Sequence, residues 1–213
     1  MPARLVQQMN DAKMTITYHP TRQKLIDAFL QMAQDNHFGK IKVDDILKKA
    51  AISRGSLYHH FADFDDLLAE AMAYAFSVGV NRSIQLLEGA LGDNNSREDL
   101  QLLFRRLTLD TLTPEGKRQR VMRAKVMGAC SQYPKLGAVV RTAQMQLTRK
   151  FEEMFLLADR RGLLKPGLNL HLCAVFIQAY TFGKIIDDMS EETVDPDDWA
   201  DWIVSILTYK ILA

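Results

Sequence analysis

The sequence predicts an all-α protein, and three features of the chain support that fold class. Apolar residues recur at three- to four-residue intervals through most of the 213 residues, which is the pattern of amphipathic helices. Short breaks rich in Gly, Pro and Asn divide this pattern into segments of helical length. No segment shows the strict apolar–polar alternation that is typical of a β-strand. With 47% hydrophobic residues, helices of this kind bury a substantial core.

The first predicted helices are short. Residues 1–20 lack a clear period, and we expect them to form an N-terminal arm. A helical stripe begins at Thr21 and ends near Asn36, and a second short helix begins at about Val43. A third short helix has Ser53 as its N-cap, because a serine hydroxyl accepts hydrogen bonds from the free N–H groups of a first turn. Two short helices joined by a brief turn describe a helix-turn-helix.

Longer helices are predicted in the rest of the chain. One runs from about Asp63 to Leu91, where Gly92 and the polar residues after it stop the helix. Another begins after Asn169 and continues without a break through Asp188. N-capping residues and prolines mark the remaining helix starts, namely Ser96, Pro114, Pro134, and Asp195 with Pro196.

Composition narrows the class of protein. The 27 basic residues nearly balance the 26 acidic ones, which excludes a wholly basic nucleic-acid coat but allows a locally basic face. Cys130 and Cys173 lie in apolar helical stretches, and we expect reduced core thiols; a redox pair would require the two to be close in space. The N-terminus has no apolar signal segment, and no apolar run approaches the ~20 residues that span a bilayer. A cytoplasmic protein with no membrane partner is therefore expected.

The predicted helix-turn-helix separates an apolar side from a polar one. The polar residues of its second helix are hydrogen-bond donors with aromatic bodies, which is typical of a helix that enters the DNA major groove. Between residues 40 and 60, five basic side chains face two acids, so a modestly positive surface is expected. The internal core is predicted to contain Ile46, Leu47, Ala50, Ile52, Leu57 and Phe61.

The run from Ile52 to Phe61, followed by Leu67 and Leu68, closely resembles the helix-turn-helix signature of the TetR family. The resemblance covers roughly residues 22–68. It implies a homodimeric repressor that binds pseudo-palindromic double-stranded operator DNA and is released by a small apolar or aromatic ligand. A regulator without such a ligand, controlled by a partner protein or acting as an activator, is the alternative. The implied domains are an N-terminal arm at 1–20, a helix-turn-helix DNA-binding domain at 21–66, and a ligand-binding and dimerisation domain at 67–213.

The resemblance also implies roles for single residues. Tyr58 stands where the family donates a hydroxyl to phosphate, and Gly55 lets the helix approach the groove. Arg54 is the candidate for base readout, because a guanidinium can donate two hydrogen bonds to guanine. For any one of these residues, a solvated surface group is the alternative. The predicted DNA-contact set is Lys42, Ser53, Arg54, Gly55, Ser56, Tyr58, His59 and His60.

The chain departs from the family pattern at three places. Asp44 and Asp45 put two acids at the start of the motif's first helix, where they offer nothing to phosphates. Ala51 stands where the family often has glycine, and Phe64 stands where it usually has a phosphate-binding lysine. We therefore expect fewer phosphate contacts and a shallower salt dependence of DNA binding. Basic residues elsewhere are the alternative anchors, namely Lys40, Lys42, Arg4 and Lys13.

The rest of the chain is predicted to bind a ligand and a second copy. Large flexible apolar residues suit an adaptable pocket, although ordinary core is the alternative, and the candidate lining is Phe76, Phe104, Met122, Met127, Phe151 and Phe155. The last two helices are apolar over wide arcs, which indicates burial or an interface. The candidate dimer interface is Phe176, Phe182, Ile186, Trp199, Trp202, Ile203 and Ile206.

No catalytic, metal or cofactor site is expected. Adjacent histidines on a helix, such as His59 and His60, point about 100° apart, and no third ligand lies at helical spacing. The sequence contains no nucleophile elbow, phosphate loop or paired carboxylates at a working distance. The chain is therefore predicted to be a binding protein and not an enzyme.

Overall fold

The computed structural model describes residues 18–35, 40–90 and 96–213, and within these ranges the chain is helical. The one β feature among them is an isolated bridge between Leu164 and Leu212, so the predicted all-α fold class is confirmed. Of the predicted arm, residues 1–17 lie outside the described part, as do the predicted helix end near Asn36 and the stop at Gly92. The helices are α1 (Pro20–Asp35), α2 (Val43–Ala50), α3 (Arg54–His60), α4 (Phe64–Ala90), α5 (Arg97–Leu112), α6 (Pro114–Ala129), α7 (Pro134–Arg160), α8 (Leu170–Gly183), α9 (Ile185–Asp188) and α10 (Pro196–Lys210).

Helices begin where the sequence places capping residues. At α5 the Ser96 hydroxyl accepts from the backbone N–H of Asp99 at 3.0 Å, while the Asp99 carboxylate accepts from the N–H of Ser96, also at 3.0 Å. This reciprocal pair satisfies two donors that a helix start would otherwise leave open. Asn169 and Asp195 accept from first-turn N–H groups of α8 and α10 in a similar way. These three helix starts show that the boundaries follow local hydrogen bonding.

One predicted helix is interrupted. The segment predicted to be continuous from Asn169 through Asp188 ends as α8 at Gly183, and α9 forms a separate short helix. Gly183 weakens a helix interior because of its conformational freedom. Lys184, which follows it, is buried, and its ammonium donates to the Asp187 carboxylate and lies 5.5 Å from the Trp199 ring centroid. The prediction of one helix was therefore wrong. The break was not visible in the sequence because the apolar period continues across it.

The described chain packs as two compact units. The first contains the residues up to Gly79 together with Met122–Ala143, and its buried side chains include Phe29 and Phe61. The second contains the described residues of Val80–Val121 and Gln144–Ala213. The predicted functional boundary between residues 66 and 67 stays a prediction. No helix in the described ranges is both long and apolar enough to cross a membrane.

The two cysteines are free thiols in different units. Cys130 is half-buried in the first unit, and its Sγ lies 3.3 Å from the Val126 carbonyl oxygen. Cys173 is buried in the second unit. Burial raises the pKa of both thiols, which disfavours the thiolate form that reacts with oxidants and metals. Cys173 thus lies in the core as expected, whereas Cys130 is only half-buried, and the reduced state of both stays a prediction.

Candidate nucleic-acid interface

The short helices α2 and α3 are held by apolar residues that both bury. Ile46 and Leu47 of α2 are buried, as are Leu57 of α3 and Phe61 directly after it. Two helices of eight and seven residues have too few internal hydrogen bonds to be stable alone. Their geometry is therefore fixed by the packing of these buried side chains within the first unit. The outward face of α3 is therefore presented on a rigid support.

The turn between α2 and α3 has a left-handed residue. Ala51 has φ 53° and ψ 46°, and its N–H donates to the Lys48 carbonyl at 3.3 Å. The N–H of Ile52 then reaches the Leu47 carbonyl at 3.0 Å, which closes the end of α2. Glycine adopts this backbone conformation without steric cost, whereas the Cβ methyl group of Ala51 makes it unfavourable. The alanine noted in the sequence therefore occupies a strained position.

The predicted DNA-contact residues lie on the outside of the motif. Ser53 caps α3 by accepting from the N–H of Ser56 at 3.2 Å. A side chain at Gly55 would meet no atom within 4 Å, so open space lies beside this first turn. Lys42, Ser53, Arg54, Gly55, Tyr58 and His59 are exposed, and Ser56 and His60 are half-buried. This arrangement leaves most of the predicted contact residues accessible to a partner.

Arg54 makes a contact that the sequence did not reveal. Its Nη2 donates to the carboxylate of Asp44, which lies in the first turn of α2. Hydrogen bonding to Asp44 is the main cause that raises the pKa of Arg54, and the Tyr58 hydroxyl contributes in the same direction. Asp44, which the sequence analysis marked as unfavourable for phosphates, therefore lies beside the predicted DNA-contact residues.

A second missed group anchors the other end of α3. Arg22 of α1 donates from Nη1 to the carbonyl of His60 at 2.6 Å and from Nε to the Glu70 carboxylate at 2.7 Å. Its guanidinium carbon lies 4.4 Å from the ring centroid of Phe61. Glu70 lies three residues after the buried Leu67 on α4, and an acid at that helical spacing was the signal that could have identified it. Arg22 thus ties the end of the recognition helix to α4.

Histidine rings surround the same end of α3. The ring centroids of His19 and His60 are 4.9 Å apart, and those of His59 and His60 are 5.1 Å apart. Burial, followed by the neighbouring His19, His59 and Arg22, lowers the pKa of His60. A neutral imidazole that can both donate and accept a hydrogen bond is therefore favoured at His60. Across the described ranges, no cluster of three or more potential metal ligands is present.

The start of α4 is closed by its own acids. The Asp63 carboxylate accepts from the N–H of Asp66 at 2.7 Å, and the Asp66 carboxylate accepts from the N–H of Ala62 at 3.1 Å. Phe64, where the family usually has a lysine, is half-buried. Since backbone donors at this helix start are already bonded to carboxylates, they are less available to a phosphate. The geometry adds a reason for the expected shortage of phosphate contacts.

The candidate dimer residues differ in exposure. Ile186 and Trp202 are 80% and 65% exposed, and Phe176 is also exposed. Phe182, Trp199 and Ile206 are half-buried, while Ile203 is buried within its own chain. Further large exposed apolar side chains lie in this region, namely Leu172, Val175, Met189 and Tyr209. The last three helices thus expose an amount of apolar surface that indicates an interaction site.

The candidate pocket residues divide between the two units. Phe76, Met122 and Met127 belong to the first, and Phe104, Phe151 and Phe155 belong to the second. The four phenylalanines are buried and the two methionines are half-buried, so this lining stays a prediction. The second unit also buries hydrogen-bonded polar groups that the sequence did not suggest. Gln178 Nε2 donates to the Thr148 hydroxyl at 3.1 Å, and the hydroxyls of Thr108 and Tyr180 are 3.1 Å apart.

Comparisons with known proteins agree with this geometry. Residues 25–71 match the family described as bacterial regulatory proteins, tetR family. The HTH-type transcriptional regulator UidR of Escherichia coli (strain K12) is 23% identical over 173 residues, covering 81% of this chain and 84% of that protein.

Solved structures share the fold. A putative TetR-family transcriptional regulator from Mesorhizobium loti aligns with a TM-score of 0.74 at 16% identity, covering 91% of this chain and 97% of that one. A putative regulator from Saccharomonospora viridis in complex with choline aligns with a TM-score of 0.72 at 14% identity, covering 90% and 97%. At these identities, the likeness is one of fold.

A helix-turn-helix whose second helix exposes a row of donors, carried on an all-helical body, defines a DNA-binding transcriptional regulator. The similar proteins reported above are transcriptional regulators. Residues 25–71 match the TetR family model, and over most of its length the chain is similar to transcriptional regulators of that family.

Proposed function

We propose that the chain acts in the cytoplasm as a homodimeric repressor on a pseudo-palindromic operator, from which a small ligand releases it. The observation that carries the proposal is the exposed face of α3, where Arg54 and Tyr58 project from a helix anchored at both ends. Arg54 donates to a guanine edge, and Tyr58 donates its hydroxyl to a phosphate. The remaining contacts come from Lys42, Ser53, Gly55, Ser56, His59 and His60.

The exposed apolar residues of the last helices support the dimer. Large apolar side chains such as Ile186 and Trp202 are unfavourable in water, and burying them against a second copy removes that cost. A two-fold axis would repeat the same patch on both copies and present two α3 helices to successive half-sites. Spacing between half-sites would then be set by the dimer.

Release by a ligand follows from a shift in population. The dimer can adopt a conformation in which its two α3 helices no longer match successive major grooves. A ligand that binds better to that conformation shifts the dimer off DNA. The solved regulator in complex with choline supports small-molecule control, and the buried aromatic residues favour an apolar or aromatic ligand. Phe104 and Phe155 are fully buried with ring centroids 6.4 Å apart. If such residues only fill the core, the alternative applies, namely a regulator or activator controlled by a partner protein. A metabolite panel that raises the melting temperature would support the ligand.

The experiment selects binding duplexes from a randomised pool with the wild-type chain. Recovery of a two-fold symmetric sequence is expected, and no enrichment would overturn the proposed function. Arg54→Ala should weaken binding to the selected duplex by about 5- to 150-fold, which corresponds to the loss of one bidentate base contact. Tyr58→Phe should weaken it less, because one phosphate hydrogen bond is lost.

Arg149→Ala provides the matched control, since Arg149 is an exposed arginine on α7. Fluorescence anisotropy measures the affinities, and circular dichroism checks that each variant is folded. Binding by Arg54→Ala that equals binding by Arg149→Ala would remove the role assigned to Arg54.

A further inference from the structure

The ion pair between Asp44 and Arg54 crosses the turn of the helix-turn-helix. Asp44 is 76% exposed and Arg54 is 53% exposed at their side chains, so both remain open to an approaching duplex. The carboxylate takes a hydrogen bond from Nη2 of the guanidinium. Tyr58 lies one turn further along α3, and its hydroxyl raises the pKa of the same guanidinium to a smaller extent than Asp44 does. An acid on one helix and a phenol on the other thus bracket the candidate base-reading side chain.

This bracket restricts how Arg54 can meet DNA. A free arginine samples many rotamers, and an orienting carboxylate reduces the number that must be given up when the base contact forms. A guanidinium has five N–H donors in a fixed fork, so one bond to Asp44 leaves donors for the two acceptors of guanine. The base contact and the contact with Asp44 can therefore exist together.

The same bracket reduces attraction to phosphates. Non-specific binding comes almost entirely from cations that neutralise phosphates and release counterions. A guanidinium paired with a carboxylate carries less net charge toward the backbone of any sequence. Asp44 lies in the first turn of α2, where the helix dipole favours a negative charge.

We propose that Asp44 is a specificity-determining positioning residue, which orients Arg54 for a guanine edge and suppresses its binding to phosphates of any sequence. The proposal rests on the proposed function, because it requires that Arg54 reads a base. It also gives a purpose to an acid that a DNA-binding surface would otherwise disfavour.

The test compares Asp44→Asn with Asp45→Asn in the full chain. Asp45 is the next residue, exposed in the same first turn, while the ion pair of Arg54 is with Asp44. Both variants remove one negative charge from the same place, but only Asp44→Asn breaks the bracket. Anisotropy titrations use the duplex selected by the wild type and a scrambled duplex of equal length, each at several salt concentrations.

For Asp44→Asn, we expect the ratio of affinities for selected over scrambled duplex to fall about 5- to 10-fold, within the range of one base contact. Binding to the scrambled duplex should strengthen, and its salt slope should steepen by about 0.9, as for one added phosphate contact. Asp45→Asn should strengthen both duplexes alike and leave the ratio unchanged. Asp44→Glu should restore the ratio, and Asp44→Asn should have no effect on the ratio in an Arg54→Ala background.

Equal ratios for Asp44→Asn and Asp45→Asn would overturn the proposal, and so would a ratio that rises in Asp44→Asn. If Arg54→Ala binds the selected duplex as tightly as the wild type, regulation through DNA stands but the role of Asp44 fails. If the wild type selects no duplex, the proposed function fails and this inference fails with it. Urea midpoints equal to that of the wild type confirm that the ratios report recognition, and Asp44→Ser provides a second variant for the same comparison.

Discussion

The exposed faces of α3 and of α8–α10 carry opposite chemistry. On α3 the exposed side chains are donors such as Arg54 and Tyr58, whereas the later helices expose large apolar residues such as Ile186 and Trp202. Donors remain favourably solvated until a nucleic acid replaces the water, so a surface of this kind suits a partner that is released. Exposed apolar side chains favour a partner that stays bound. The difference agrees with the proposed function, in which one surface binds DNA reversibly and the other pairs two copies.

The two surfaces are supported by a similar device. In the first unit the half-buried Arg22 and the buried Glu70 hold the end of α3. In the second unit Arg120 and Asp188 form a buried ion pair with Arg120 Nη2 2.6 Å from the carboxylate, at the end of α9. Buried pairs of charges add little net stability, but removing one member leaves the other uncompensated. The orientation of each surface therefore depends on an ion pair, and removing either member of that pair leaves an uncompensated buried charge.

The largest effect is expected from a charge on the apolar surface. Trp202→Glu or Ile186→Glu would place a carboxylate where the proposed dimer buries an apolar side chain, and aromatic residues at interface centres often dominate binding. We expect the dimer dissociation constant to rise by about 30-fold or more, as for a hot-spot residue of about 2 kcal/mol or above. Sedimentation equilibrium measures it, and operator affinity should fall with it.

Leu102→Glu is the control for this pair of variants. Leu102 on α5 is 67% exposed, comparable to Trp202, but it lies outside the predicted interface. Its dimer should dissociate like that of the wild type. A wild-type chain that is monomeric, or equal effects of all three substitutions, would remove the contrast drawn between the two surfaces.

A smaller effect is expected when the support of α3 is broken. Glu70→Gln would leave the Arg22 guanidinium without its carboxylate in a partly buried site, and Glu70 is only 7% exposed at its side chain. Loss of one member of a fully buried pair costs ~3–5 kcal/mol, and the partial exposure of Arg22 reduces this to about 2–3 kcal/mol. Urea unfolding measures the free energy. DNA affinity should fall as well, because Arg22 also bonds the last carbonyl of α3.

Glu88→Gln tests whether burial is the reason. Glu88 pairs with Lys150 at 3.3 Å, but the Glu88 side chain is 54% exposed and that of Lys150 is 33% exposed. A surface pair of this kind contributes roughly 0–1 kcal/mol, so the free energy of unfolding should change by less than that. If the two glutamines destabilised the chain equally, the distinction between a buried anchor and a surface pair would be wrong.

Local features of the molecule were predictable from the sequence, and long-range ones were not. Caps such as Ser53 and Ser96 act on residues three positions away, so a short window of sequence contains both partners. Arg22 and Glu70 are 48 positions apart, and only the packing of the helices within the first unit brings them together. The break at Lys184 was missed because it depends on where one side chain is buried and leaves the apolar period unchanged.

The contact of Arg54 was missed for the same reason. Asp44 and Arg54 are ten positions apart, on different helices, and the turn between them sets their distance. The sequence predicted which residues of α3 face outward, because helical spacing determines that. It did not predict which neighbour each one contacts. The candidate site therefore also includes Asp44 and Arg22, which the list of exposed donors omits.

The smallest effect should come from the turn that joins these two helices. Ala51→Gly removes the methyl group from a left-handed residue, which relieves strain of about 1–2 kcal/mol, while the greater freedom of glycine in the unfolded chain offsets part of the gain. We expect a net stabilisation of about 0.5–1 kcal/mol by urea unfolding. Ala50→Gly, in the last turn of α2, should instead destabilise by up to about 1 kcal/mol. Destabilisation by both glycines would mean that the left-handed turn is not the populated conformation, and the relative placement of Asp44 and Arg54 would then need another explanation.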